Sequence, residues 1–148
     1  MANISVRVDG IDDVVRELNR RGVDVADGLE IICHAGATVV REAAMRRAPG
    51  SLAEDLEQKT TRRRRTAVTV EVRPGKAHRK IAHLVEFGTR PHMIRPRRRR
   101  ALLIGGRLVA WARHPGARAR PFMRPAVDTS REKAQAAMAA ATKKAARI

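Results

Sequence analysis

The sequence predicts an α+β fold: a small antiparallel sheet with a β-hairpin, packed against two N-terminal helices and a C-terminal helix. Three observations carry this expectation. Val68, Val70 and Val72 alternate with polar residues between two turn signals. Apolar residues recur at helical spacing from Val25 to Ala43. Two short apolar runs flank Gly105-Gly106-Arg107, a hairpin signal. At 148 residues with 43% hydrophobic composition, the chain suits one domain with its own core.

In chain order, Ile4, Val6 and Val8 alternate with Ser5 and Arg7 as a short strand, and Asp9-Gly10 turns the chain. Ile11, Val14, Val15 and Leu18 form one face of a first helix. Asp12-Asp13 and Arg20-Arg21 complement its dipole, and Gly22 stops it. A longer helix runs from about Val25 to Ala48, N-capped by Asp24 and ended by Pro49-Gly50, with Gly36 where a neighbour could approach closely. Around Leu52 and Leu56 a short helical turn is expected, leading into an arginine-rich loop near 57–66. Ala67 to Arg73 is a strand closed by Pro74-Gly75. Ile81, Leu84 and Val85 mark a short helix ending at Gly88, and a second arginine-rich loop spans 90–100.

The hairpin arms, Ala101 to Ile104 and Leu108 to Ala112, are apolar on both faces, so a cover is expected from this chain or from a neighbouring copy. An Ala-rich helix fills about 122–148. Its seam of Ala134, Ala137, Met138, Ala141, Ala145 and Ile148 is thin, and such a helix is steadier against a partner.

Charge is the unusual property. Lys+Arg total 32 against 15 Asp+Glu, a formal net charge of +17. Residues 1–57 hold 11 acids and 7 bases, whereas residues 58–148 hold 4 acids and 25 bases. Between Glu86 and Asp128 there are eleven arginines and no acid. One part of the molecule is therefore built to meet something negative. The candidates for contact with DNA or an acidic partner are two tetrads: Arg62, Arg63, Arg64 and Arg65, and Arg97, Arg98, Arg99 and Arg100. With one Trp, two Phe and no Tyr, base stacking has few platforms, and phosphate contact by arginine alone would be non-specific.

Little in the sequence points to catalysis. Cys33 is the only cysteine, so an intrachain disulfide is excluded. No apolar run is long enough for a membrane span, and Met1 to Gly10 lacks the apolar region of a signal peptide. His83, Glu86 and His92 do not have the spacing of a zinc-protease motif. Ser51, Ser130 and Cys33 lack the context of a nucleophile elbow, and no phosphate-binding glycine motif occurs. The expectation is a non-enzymatic protein without cofactor or metal. Glu86, surrounded by arginines, is expected in a salt bridge. Phe122 and Met123, bracketed by Pro121 and Pro125, suit a staple of the domain's own core or a partner contact. The candidates for an oligomer or partner interface are Phe87, Leu102, Ile104, Val109, Trp111, Phe122 and Met123.

Four blocks occur in order: Val85-Glu86-Phe87-Gly88-Thr89, the hairpin of 101–112, His114-Pro115-Gly116, and Pro121-Phe122-Met123-Arg124-Pro125-Ala126. In order and spacing this set resembles the gp-ten-like small proteins of HK-type tailed bacteriophages, a head–tail joining and tail-completion family. The similarity extends over nearly the whole chain. The resemblance implies a virion neck component, made in the host cytoplasm, that forms a homo-oligomeric ring around the DNA channel. A hexamer suits the tail side, with a dodecamer as the other ring size. Its implied partners are head-completion and tail-terminator proteins and the genomic double-stranded DNA in the channel, with no membrane. The tetrads are denser in arginine than the family pattern requires. Because a uniformly basic channel would hold DNA rather than let it pass, protein docking is expected for most of these arginines. The alternative is a non-specific nucleic-acid-binding protein.

Overall fold

A computed structural model describes residues 4–6, 12–20, 22, 24–96 and 100–145. The elements are β1 (Ile4–Val6), α1 (Asp12–Arg20), α2 (Val25–Met45), a 3-10 turn (Gly50–Leu52), β2 (Leu56–Arg64), β3 (Ala67–Pro74), α3 (Ala82–Phe87), β4 (His92–Ile94), β5 (Leu102–Ile104), β6 (Arg107–Val109), β7 (Ala112–His114) and α4 (Met123–Ala145). This is the expected α+β class. Val8, Ile11, Arg97 to Arg99 and Ile148 lie outside the described residues.

The main sheet is antiparallel, in the order β1-β3-β2. Val68, Val70 and Val72 of β3 are buried beneath α2. Asp24 caps α2 as expected, its carboxylate accepting the N–H groups of Ala26 at 2.8 Å and Asp27 at 3.1 Å. On α1, Leu18 is buried and packs over Gly28, where a Cβ would meet its Cδ1 at 2.7 Å.

The loop expected near 57–66 is instead strand β2, paired with β3 from Leu56↔Pro74 to Arg64↔Ala67. After the buried Leu56 its inward positions are polar, which hides the alternation that marks a half-buried strand. Gln58 Oε1 accepts from the Thr38 hydroxyl at 3.2 Å, and the Thr60 hydroxyl donates to Glu30 at 2.6 Å. Arg41 Nε donates to the Leu56 carbonyl at 2.7 Å. A bulge at Thr61 shifts the register, so that Thr60 faces Val70 and Arg63, not Arg62, faces Val68. The inserted residue turns Arg63 towards α2 and leaves Arg62 and Arg64 on the outer face.

The alanine seam of α4 does not await a partner chain. It packs along α2, which lies between α4 and the sheet. Met138 sits over Gly36, where a Cβ would meet its Cγ at 2.8 Å, and Arg47 reaches the Thr129 hydroxyl at 3.0 Å, so the two helices run antiparallel. Small residues allow this close approach, which suits a stripe that buries little area per side chain. Phe122 and Met123 are buried in this same core. Burial settles their role as a staple of the chain's own fold and corrects their candidacy as interface residues. A buried Phe contributes roughly 1.5–3 kcal/mol.

Candidate assembly surface

Glu86 positions the arm that links α3 to α4. It is 4% exposed. Its Oε2 accepts the backbone N–H groups of Phe122 at 2.8 Å and Met123 at 3.0 Å, and its Oε1 accepts that of Arg124 at 3.1 Å. The carboxylate therefore occupies the positive N-terminus of α4, satisfying donors the helix cannot satisfy itself. The expected salt bridge to arginine is replaced by this cap. Thr89 and Ala117 exchange two backbone hydrogen bonds beside it, at 2.9 and 3.1 Å, and the Arg120 N–H donates to the Val85 carbonyl at 2.8 Å. Gly88 makes the junction close enough. Its φ is +71°, and a Cβ there would meet the Ala117 carbonyl oxygen at 2.6 Å.

Beyond this junction the chain projects as two small antiparallel ribbons. In the first, β4 pairs with β7, and His92 lies opposite His114 with ring centroids 5.0 Å apart. The segment 90–100, expected as loop, contributes β4, and His114 ends β7, with the turn following at Pro115-Gly116. These strands are three residues long, too short for periodicity to reveal. In the second ribbon, β5 pairs with β6 through a two-residue turn at Gly105 and Gly106, whose φ values of +56° and +79° suit the twist of a tight hairpin.

Among the described residues, the large apolar side chains of the arm stand uncovered. Leu103 and Leu108 are 71% and 75% exposed, Phe87 62% and Trp111 57%, while Ile104 and Met93 are also exposed. Leu102 and Val109 are half-buried. Pro91, His92, Met93, Trp111 and Arg113 line a shallow groove on the first ribbon. Thus Leu102, Ile104, Val109 and Trp111 belong to one projecting segment, Phe87 lies beside it at the end of α3, and Phe122 and Met123 are apart from it in the core.

The first arginine tetrad divides. Arg63 is hydrogen-bonded to Asp27, lies 3.3 Å from Glu30 and 4.0 Å from Asp24, and so belongs to an internal network. Arg62, Arg64 and Arg65 are exposed, and among the described residues no carboxylate pairs with them. Of the second tetrad only Arg100 is described, and it is exposed.

The residues weighed as metal ligands are not assembled. Glu86 is committed to α4, His83 is exposed, and His92 Nδ1–H donates to the Arg90 carbonyl at 2.9 Å. Among the described residues no group of three or more His, Cys, Asp or Glu could hold a metal. One cluster was not foreseen. The Asp55 carboxylate is 3.0 Å from His78 Nδ1, and His78 Nε2 is 3.1 Å from the Ser51 hydroxyl. Positions 51, 55 and 78 share no local motif that would have signalled it.

Residues 12–88, more than half of the chain, match the HK97-gp10-like family model, described as "Bacteriophage HK97-gp10, putative tail-component". The chain belongs to this family. Neither a curated protein nor a solved structure matches it. The matched region ends at Gly88. It includes α1, α2, the β2–β3 hairpin and the Val85-Glu86-Phe87-Gly88 run, whereas the resemblance was expected over nearly the whole chain. Membership in the HK97-gp10-like family supports a structural role in a phage tail and a place in the virion. Among the described residues no helix is long and apolar enough to cross a membrane.

Proposed function

We propose that this HK97-gp10-like protein is a ring-forming subunit of a tailed-phage neck, joining head and tail around the DNA channel. The observation that carries the reading is the arm with the end of α3 beside it: six exposed large apolar side chains, Phe87, Met93, Leu103, Ile104, Leu108 and Trp111, in a stretch with no acid between Glu86 and Asp128. An apolar surface of this kind is stable in water when another surface covers it. The excess of acids in residues 1–57 supports head-to-tail docking, in which the basic arm of one copy lies against the body of the next. Repeated around an axis, that contact closes a ring, with six copies on the tail side. The exposed arginines then meet acidic surfaces of neighbouring neck proteins, and a minority face DNA.

The test replaces Leu103, Leu108 and Trp111 together by Asp. The variant is expected to fold, because these side chains lie outside the core, and to fail in joining heads to tails in a complementation assay. Normal yields of joined particles from the folded variant would overturn the proposal.

A further inference from the structure

Beyond a structural role, the geometry points to Ser51 as an activated nucleophile for acyl transfer, with His78 as its general base and Asp55 as the residue that positions that base. Ser51 is exposed on the 3-10 turn at Gly50–Leu52. Its hydroxyl lies 3.1 Å from His78 Nε2, and His78 Nδ1 lies 3.0 Å from Asp55 Oδ2. A nucleophile, a base within hydrogen-bond reach and a third group orienting the base are recognised by geometry and roles, whatever their place in the chain.

The tautomer follows from the partners. The carboxylate can only accept, so Nδ1 carries the proton, and Nε2 is left with the lone pair that receives the serine proton. Asp55 is itself held in place. The same Oδ2 accepts the backbone N–H of His78 at 2.9 Å, and the Asp55 carbonyl accepts the Gly75 N–H at 2.7 Å. The imidazole is therefore fixed by a turn anchored at two points rather than by one flexible contact.

The substrate class is an ester whose acyl carbon reaches the exposed Ser51 hydroxyl from solvent. In the reaction, Ser51 Oγ forms a bond to the acyl carbon as its proton passes to His78 Nε2. The ester C–O bond then breaks, and the departing alkoxide takes that proton. Water, deprotonated by His78, next attacks the acyl-serine, releasing the acid and restoring the hydroxyl.

The full-length protein is treated with a fluorophosphonate probe and, separately, with p-nitrophenyl acetate. One adduct on Ser51 is expected in the native protein and none after unfolding in urea. Ser51→Ala, an exposed change that spares the core, is expected to abolish both the adduct and the ester hydrolysis. His78→Gln is expected to slow both by about a hundredfold or more, the range for a positioned general base. Absence of the native adduct, or equal labelling of Ser51→Ala, would overturn the inference. Neither result bears on ring formation, which rests on the arm.

Discussion

Glu86 and Phe122, 36 residues apart, are joined by a 2.8 Å hydrogen bond from the Phe122 backbone N–H to the Glu86 carboxylate. Through this contact the last residues of α3 determine where α4 begins, and the intervening segment leaves the body as a closed loop. The family-matched region ends two residues beyond Glu86, so the cap ties that region to the C-terminal helix.

Removing this carboxylate exposes its cost. Glu86→Ala leaves three N–H groups without their acceptor in a largely buried place and is expected to destabilise the protein by about 2–3 kcal/mol. Glu86→Gln keeps one acceptor oxygen but loses the charge that suits the helix terminus, and about half that loss is expected. Urea denaturation of the two variants checks both the direction and the order.

A second contact makes stability depend on acid. Partial burial raises the Asp55 pKa, but the hydrogen bonds from the His78 ring and from the His78 and Ala77 N–H groups, with the imidazolium charge, outweigh it and leave the carboxyl below its usual range. A carboxyl held lower in the folded state than in the unfolded one stabilises the fold above its unfolded pKa. That contribution is lost as pH falls through the folded value. Thermal stability is therefore expected to drop below about pH 4, the ordinary carboxylate range, and Asp55→Asn to flatten this part of the curve. A melting series from neutral pH downward measures it.

Arg63 is expected to behave unlike the arginines beside it. Arg63→Gln breaks a network with Asp24, Asp27 and Glu30 and should lower stability by about 0.5–1 kcal/mol, a loss that shrinks in high salt because the groups are half-exposed. Replacing Arg62, Arg64 and Arg65 by Gln should leave stability unchanged and weaken binding to random duplex DNA, with a smaller salt slope. Denaturation curves and a salt titration of DNA binding separate the two sets.

Cys33 is expected to be inert while the protein is folded. Burial, and secondarily the Glu30 charge, raise its thiol pKa, and the thiol donates to the Val68 carbonyl at 3.7 Å. A maleimide at neutral pH should leave the native protein unmodified and label it fully in denaturant. Mass measurement before and after unfolding is the check.

Much of this architecture was legible because its signals were local. The β3 valines alternate, Asp24 caps α2, and Gly105-Gly106 closes the hairpin, each within a few residues of its own structure. Strand β2 escaped notice because Gln58, Thr60 and Arg63 face a polar side of α2, so no apolar alternation survives. The seam of α4 was visible, but a stripe does not say what covers it; α2 of the same chain does. Glu86 reads as an ion-pair partner because sequence displays side-chain charges and conceals the backbone N–H groups of a distant helix. The hairpin is legible as apolar on both faces, and Leu103, Leu108 and Trp111 stand exposed there.

Native mass spectrometry of the purified chain at moderate ionic strength addresses ring assembly most directly. A closed assembly of six copies, or twelve, is predicted, and it should dissociate when Leu103, Leu108 and Trp111 are replaced by Asp. A folded monomer at every concentration, indistinguishable from the substituted variant, would contradict it.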